Sequence, residues 1–159
     1  MNNNDILRRL RYTFDLSNAA AISLFSKDPS STVDMSEPKL IARLKKQEED
    51  GYEVCEDREL NAFLDGLIVE RRGLKDPAPT PRALPADFRL SRNDILKKLR
   101  IAMNYRDDDM LSTLAEGGST LSKSELGAFF RKPGHKHYRA CGNQVLRNFL
   151  SGLTQQLRT

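Results

Sequence analysis

The octet NDILRRLR at residues 4–11 recurs as NDILKKLR at residues 93–100, and this repeat organises the whole chain. After these octets the first copy is three residues longer, and the match continues at an offset of 86 residues. A collinear series of identities with one length change indicates a tandem duplication. The identical pairs at this offset include Ser36/Ser122, Leu40/Leu126, Ala42/Ala128, Lys46/Lys132, Tyr52/Tyr138, Cys55/Cys141, Leu60/Leu146, Phe63/Phe149, Leu64/Leu150, Gly66/Gly152 and Leu67/Leu153.

The duplication divides the chain into a first helical repeat, residues 1–74, and a second, residues 93–159. Residues 75–92 join them and hold four of the seven prolines, a composition typical of an extended spacer. A single copy of about 65–70 residues buries a small core and is marginally stable alone. We therefore expect the two copies to pack together about a pseudo-two-fold axis, as one compact unit.

Each copy has the apolar spacing of four helices, so the predicted fold is all-α with about eight helices. The first helix of each copy is predicted to have Asn4 or Asn93 as its N-cap. The second helix is short; its N-cap is Ser17 or Asn18 in the first copy, and it ends at Gly117-Gly118 in the second. The apolar faces predicted for the two first helices are Ile6, Leu7, Leu10 and Phe14, and Ile95, Leu96, Leu99 and Met103.

The third and fourth helices carry the clearest signals. Ser122 and Glu125 have the spacing of a capping box, with Ser36 at the equivalent place, and the second third helix is predicted to end at Pro133-Gly134. Asp57 and Asn143 are the predicted N-caps of the fourth helices. Gly66 and Gly152 lie inside those helices, where glycine costs about 1 kcal/mol relative to alanine. This repeated cost predicts that another helix approaches closely at both glycines.

Composition and charge restrict the class of protein. No apolar run approaches the roughly 18 residues of a membrane span, and the N-terminus lacks the pattern of a signal peptide. Two cysteines are too few for a secreted disulfide framework, so we expect a cytoplasmic protein that does not bind membranes. Residues 1–74 carry 11 basic and 14 acidic side chains, whereas residues 93–159 carry 11 and 6. This asymmetry favours either an anionic partner or attraction between the halves or between chains.

Catalytic motifs are missing from the sequence: it has no Gly-rich phosphate loop, no GxSxG and no HExxH. The nearest approach to a metal or thiol site is His135, His137 and Cys141, three metal-competent residues without an evident fourth ligand. In the first copy Glu49 and Gly51 replace the histidines while the cysteine persists, which favours a packing role for the thiol. No catalytic residue, metal or cofactor is therefore predicted.

A basic cluster surrounds the connection between the third and fourth helices of the second copy. Such a cluster at a helix–turn–helix-like junction is a candidate for contacts with phosphates, and the alternative is a solvated surface. The candidate contact residues are Arg131, Lys132, Lys136, Arg139 and Arg147, with His135 among them.

The motifs NDILRRLR, FLDGLIVERRG, NDILKKLRIA and LSKSELGAFFRKPGHKHYRACGNQVLRNFLSGL resemble the YehS-like bacterial family, a duplicated domain of unknown function. The resemblance covers nearly the whole chain except the proline-rich segment. It implies a small cytoplasmic bacterial protein made of two related helical domains, and it implies no activity. This chain has Arg43 where the first copy in that family tends to carry tryptophan.

The hypothesis that follows is a non-enzymatic helical protein-interaction module, with a protein partner or a second copy of the chain as its ligand. One alternative is a nucleic-acid-binding protein that uses the basic face of the second copy. The other is a metal- or thiol-dependent enzyme centred on His135, His137 and Cys141.

Overall fold

The computed structural model describes residues 1–158, and this part of the chain forms eight α-helices and no strand. The prediction of an all-α fold with a duplicated four-helix pattern is confirmed. The helices are α1 (Asn3–Thr13), α2 (Asn18–Lys27), α3 (Glu37–Leu44), α4 (Asp57–Arg72), α5 (Arg92–Met103), α6 (Asp107–Glu116), α7 (Lys123–Ala128) and α8 (Asn143–Leu157).

The chain divides into two compact units, unit 1 (Met1–Leu90) and unit 2 (from Ser91 onward). In unit 1, α2 packs mainly on α4, and α3 lies against α1 and α2. In unit 2, α6 packs mainly on α8 and also contacts α7, while α5 contacts α8. Each unit thus has its own four-helix core, and the pseudo-two-fold pairing of the copies stays a prediction.

The cores contain most of the apolar faces predicted for the first helices, whereas Phe14 and Met103 of those faces are only half-buried. Burial of the core side chains supplies the main stabilising free energy of each unit. The buried residues of unit 1 include Ile6, Leu7, Leu10, Leu24, Phe25, Leu40, Leu60, Phe63, Leu64 and Leu67, and those of unit 2 include Ile95, Leu96, Leu99, Met110, Leu114, Leu126, Leu146, Phe149, Leu150 and Leu153.

The close helix approach predicted at the two helical glycines is confirmed. A Cβ atom built on Gly66 would lie 1.8 Å from the carbonyl oxygen of Leu24, and one on Gly152 would lie 1.9 Å from that of Thr113. Leu24 and Thr113 are equivalent at the 89-residue offset of the first helices. Within each unit, the second and fourth helices therefore cross at the equivalent place, and only glycine fits at that crossing.

The predicted N-caps of the first and fourth helices are wrong. Asn2 and Ser91 cap α1 and α5, since their side chains accept hydrogen bonds from the backbone N–H groups of Asp5 and Asp94. Asn4 and Asn93 lie inside these helices, because their side chains bond to another segment of the chain.

Helices α4 and α8 likewise begin one residue earlier than predicted, directly after Glu56 and Gly142. Asp57 and Asn143 are their first helical residues, and both side chains accept from outside the helix. The donors are Asn3 Nδ2 to Asp57 Oδ1 at 2.7 Å and Arg92 Nε to Asn143 Oδ1 at 2.9 Å.

Other predicted caps are confirmed. Ser17 caps α2, Ser36 caps α3, and Ser122 forms a capping box with Glu125 at the start of α7. The predicted end of the third helix of the second copy at Pro133-Gly134 is wrong, since α7 ends at Ala128. The carbonyl oxygen of Ala128 accepts from the backbone N–H of Arg139 at 3.1 Å and is therefore not used for a further helical turn.

The proline-rich segment contacts unit 1. The backbone N–H of Arg82 donates to the carbonyl oxygen of Ser30 at 3.0 Å. Leu90 is buried, and its backbone N–H donates to Asp57 Oδ2 at 3.0 Å. Within residues 1–158, no helix combines the length and the apolar character needed to cross a membrane.

Candidate functional site

The segment between the third and fourth helix of each unit is where the polar chemistry concentrates. We call residues 45–56 the first connection and residues 131–142 the second connection; they are equivalent at the 86-residue offset. Both have little regular structure, and most of their side chains are exposed. Each is held against its unit by one buried asparagine of the first helix.

In unit 1 this asparagine is Asn4, whose side chain makes four hydrogen bonds across the fold, one of which its Oδ1 accepts from Tyr52 Oη at 3.4 Å. Its Nδ2 donates to the carbonyl oxygens of Arg43 at 3.0 Å and Glu53 at 2.8 Å. Its Oδ1 accepts from the backbone N–H of Cys55 at 3.0 Å. Two carbonyl oxygens need donors here and one backbone N–H needs an acceptor. The asparagine amide group supplies two N–H donors and an acceptor oxygen on one short side chain.

Unit 2 repeats three of these four bonds with Asn93. Its Nδ2 donates to the carbonyl oxygens of Phe129 at 3.0 Å and Arg139 at 2.9 Å, and its Oδ1 accepts from Cys141 N–H at 2.9 Å. At the 86-residue offset, these three partners of Asn93 are equivalent to three partners of Asn4 in unit 1. The first residue of the repeated octet, asparagine in both copies, thus makes equivalent hydrogen bonds in both units.

The two cysteines are buried next to these asparagines and form no disulfide. Burial raises the pKa of the Cys55 thiol to about 12 and that of Cys141 to about 11. Cys55 Sγ lies 3.9 Å from the carbonyl oxygen of Glu56, and Cys141 Sγ lies 3.6 Å from that of Gly142. Both thiols are protonated at neutral pH, which makes them poor nucleophiles and poor metal ligands.

We expect both thiols to resist alkylation in the folded protein. At pH 8 a thiol of pKa 11 holds about 100-fold less thiolate than an exposed one, so iodoacetamide should react at least that much faster after unfolding in guanidinium. The free energy of unfolding should be independent of these thiols below pH 9 and fall above it. The reason is that the unfolded state loses the proton near pH 9 while the folded state keeps it. Alkylation of the folded protein at the unfolded rate would contradict this account.

The two histidines lie in the exposed part of the second connection. The His135 and His137 rings have their centroids 5.6 Å apart, and His135 Nδ1 accepts from the backbone N–H of His137 at 3.0 Å. In the part of the chain that the structure describes, no three His, Cys, Asp or Glu residues form a group that could hold a metal ion. His135, His137 and Cys141 therefore do not form such a group.

A cleft of about 620 Å³ lies beside the second connection and collects part of the predicted basic cluster. Arg131, Lys136 and Arg139 line it, whereas Lys132 and Arg147 do not. Arg147 lies on α8 and donates to Gln144 Oε1 at 3.1 Å. The other lining residues are Lys123, Ser124, Glu125, Gly127, Ala128, His137 and Tyr138.

The cations of the second connection have few acidic partners. Among residues 1–158, no carboxylate lies within ion-pair distance of Arg131, Lys132 or Lys136, and Arg139 Nη1 is 4.0 Å from Glu125 Oε2. Hydrogen bonds from Ser122 lower the pKa of Glu125, so this carboxylate is ionised at neutral pH. Residues 131–139 nevertheless contain four Lys and Arg residues and no acid.

The first connection has the opposite charge. Residues 45–53 contain two lysines and four acidic residues, Glu48, Glu49, Asp50 and Glu53, all four of them exposed. Asp50 and Glu53 occupy the positions of Lys136 and Arg139. The two connections therefore carry net charges of opposite sign on the same scaffold, although Lys45 and Lys46 are matched by Arg131 and Lys132.

A second difference between the units lies beneath the connections. Arg43 Nε is 2.9 Å from Glu59 Oε1, with Arg43 12% and Glu59 10% exposed at their side chains. Unit 2 has Phe129 and Val145 at these positions. An ion pair in unit 1 is thus replaced by two apolar residues in unit 2.

Replacing Arg43 with alanine is expected to lower the free energy of unfolding by about 3 kcal/mol, because it leaves the Glu59 carboxylate buried without its partner. The double variant Arg43→Phe/Glu59→Val, which copies unit 2, is expected to recover most of that loss. Urea unfolding of both variants provides the measurement. A double variant no more stable than Arg43→Ala would show that the two positions are not exchangeable.

Unit 1 has a cleft of similar size, about 630 Å³, between the segment that follows α2, helix α4 and the proline-rich segment. It is lined by residues 30–33, by Arg58, Asn61 and Asp65 of α4, and by residues 79–84 among others. Its polar groups bond within the protein: Ser31 Oγ donates to the carbonyl oxygen of Phe25 at 2.5 Å and Asn61 Nδ2 to Asp65 Oδ2 at 3.4 Å. No sequence motif indicates this cleft, because it depends on how the proline-rich segment packs.

Comparison with known proteins agrees with the duplication. A family model described as "Protein of unknown function (DUF1456)" matches residues 3–73 and again residues 92–159. The chain is 39% identical over 153 residues to the "Uncharacterized protein YehS" of Escherichia coli (strain K12), covering 96% of this chain and 94% of that protein. No solved structure matches the chain significantly.

Proposed function

We propose that this chain, which belongs to the DUF1456 family of proteins of unknown function, is a non-enzymatic, cytoplasmic protein-interaction module. The observation that carries the proposal is the pair of equivalent connections, which share their backbone hydrogen bonds and the bonds to one asparagine but carry net charges of opposite sign. Charge on an interface contributes mainly specificity and rate of association, so two opposite surfaces on one scaffold suit recognition of a partner better than catalysis.

The buried residues support a role without catalysis. Asn4, Asn93 and the two cysteines are the polar and thiol groups shared by both copies, and their contacts hold the connections in place. The cytoplasmic location is proposed because both cysteines are buried as free thiols.

Capture from a lysate of the native cell tests the proposal with three forms of the full chain. The first is the wild type, and the second is Arg131→Glu/Lys136→Glu/Arg139→Glu. The third, a matched control, reverses the same number of exposed cations outside both connections: Arg72→Glu/Lys75→Glu/Arg89→Glu.

We expect the wild type and the control to retain the same protein partner, and the variant of the second connection to lose it. A partner retained equally by all three forms would contradict a role for the second connection. No specific protein captured by any form, and no self-association, would contradict the interaction module itself.

Nucleic acid is the second candidate, and the cleft of the second connection favours it. Arg131 and Lys136 are available to phosphates there, and the cleft also contains the aromatic side chains of His137 and Tyr138. Titration of labelled duplex and single-stranded DNA and RNA at two salt concentrations tests this candidate. Affinity that falls steeply with salt supports it, and no binding at low salt excludes it.

A further inference from the structure

The two units differ in shape, as well as in charge, at one pair of equivalent positions next to the connections. In unit 1, Ile41 of α3 projects as an exposed apolar side chain, 43% accessible to solvent. The equivalent residue of unit 2 is Gly127, which lines the cleft, and a Cβ built there would have no atom within 4 Å. Unit 1 thus has a protruding side chain where unit 2 has open space.

The charges around these two positions follow the same inversion. At equivalent positions, unit 1 has acids where unit 2 has bases in three cases, and a base where unit 2 has an acid in one. The pairs are Glu37/Lys123, Asp50/Lys136, Glu53/Arg139 and Lys39/Glu125. All eight residues are exposed.

We propose that the chain associates with a second copy of itself, the face of unit 1 in one chain docking on the face of unit 2 in the other. The unit 1 face consists of Ile41 and the acidic first connection; the unit 2 face consists of Gly127 and the basic cleft of the second connection. Opposite charge steers the two faces together, and the apolar side chain of Ile41 enters the open space above Gly127. This inference rests on the proposed interaction function and names the partner as the chain itself.

The symmetry of such a contact has a consequence for the assembly. The two faces differ, so each contact is heterologous: every chain offers one of each. Two chains that satisfy both contacts at once form a closed dimer, whereas chains that cannot do so form open oligomers that grow with concentration. Both products depend on the same faces and both support the inference.

Sedimentation velocity of the full chain, over a range of concentrations and at low and high salt, tests the inference. We expect mass to increase with concentration at low salt, and the apparent dissociation constant to weaken by about tenfold or more at high salt, because the charges are exposed to screening. A monomer at every concentration and both salts would overturn the inference. Association insensitive to salt would overturn it as well.

Two charge-reversed variants make the test specific to these faces. Glu48→Lys/Glu49→Lys/Asp50→Lys gives a chain with two basic faces, and Arg131→Glu/Lys136→Glu/Arg139→Glu gives a chain with two acidic faces. Each variant alone should stay monomeric, and an equal mixture of the two should associate. Circular dichroism and thermal unfolding check that each variant is folded, and the altered side chains are all exposed.

Association of either variant alone, or a mixture that stays monomeric while the wild type associates, would overturn the assignment of the faces. Ile41→Ala should weaken wild-type association without changing its dependence on salt. A wild-type monomer that still captures a different protein through the second connection would overturn the second copy as partner and leave the interaction module standing.

Discussion

Replacing Gly66 or Gly152 with alanine is expected to lower the free energy of unfolding by about 3 kcal/mol or more, although alanine is the better helix former by about 1 kcal/mol. The added Cβ would lie 1.8 Å from Leu24 O or 1.9 Å from Thr113 O. These are backbone atoms, so the second and fourth helices of the unit must separate to make room. Chemical denaturation measures this loss. The slope of the free energy of unfolding against denaturant concentration should stay unchanged.

The chain offers a matched control in Gly127, also inside a helix. A Cβ there meets no atom within 4 Å, so Gly127→Ala is expected to be neutral or stabilising. If all three substitutions change stability by the same amount, the close helix crossing is not what requires glycine at positions 66 and 152.

Replacing Asn4 or Asn93 with alanine is expected to cost about 3 kcal/mol or more. Each substitution leaves one buried N–H and two carbonyl groups without their partner, and each such group costs about 1–3 kcal/mol when no water replaces it. The isosteric variants Asn4→Asp and Asn93→Asp keep the acceptor for the cysteine N–H but lose both donors. They should therefore be no more stable than the alanine variants at neutral pH, and should improve as the pH falls and the carboxyl group gains a proton.

Asn61→Ala is the matched control, since Asn61 makes a single hydrogen bond of 3.4 Å on the surface of α4. Its stability should change by only about 0.5 kcal/mol. Alanine at position 4 or 93 with no greater effect than at position 61 would mean that water replaces the lost partners and that the asparagines do not hold the connections.

Much of the fold could be predicted because the duplication gives two independent sequences for each helix, and the features they share can be compared. The apolar spacing of Leu60, Phe63, Leu64 and Leu67 predicts the buried face of α4, and the same face recurs on α8. The glycines at 66 and 152 were informative for a similar reason: a cost to helix stability that is present in both copies indicates a contact. Local spacing also predicted the capping box of Ser122 and Glu125.

The role of Asn4 and Asn93 could not be predicted in the same way. An asparagine next to an aspartate at the start of an apolar pattern is typical of an N-cap, and local spacing cannot reveal bonds to residues 36–51 positions away. One local signal was present: Asn2 and Ser91 stand three residues before Asp5 and Asp94, which is the capping-box spacing. Applying that rule would have moved the caps and left Asn4 and Asn93 free for a tertiary role.

The candidate site was predicted in part. The sequence composition shows the basic cluster but does not show which of its residues lie together. Arg131, Lys136 and Arg139 line the cleft, whereas Lys132 and Arg147 do not. The open space at Gly127 depends on the early end of α7 and on the path of the second connection. Alignment of the copies alone already shows the opposite charges of Asp50/Lys136 and Glu53/Arg139.

In the proposed function, the two connections are the surfaces through which this protein binds. Amide hydrogen exchange of the full chain, dilute and concentrated, at low and high salt, tests it most directly. We predict slower exchange in residues 45–54 and 131–140 when the protein is concentrated at low salt, and no such change at high salt. Slower exchange confined to other segments, such as residues 30–33 and 79–84 of the cleft in unit 1, or no change at any concentration, would contradict the claim.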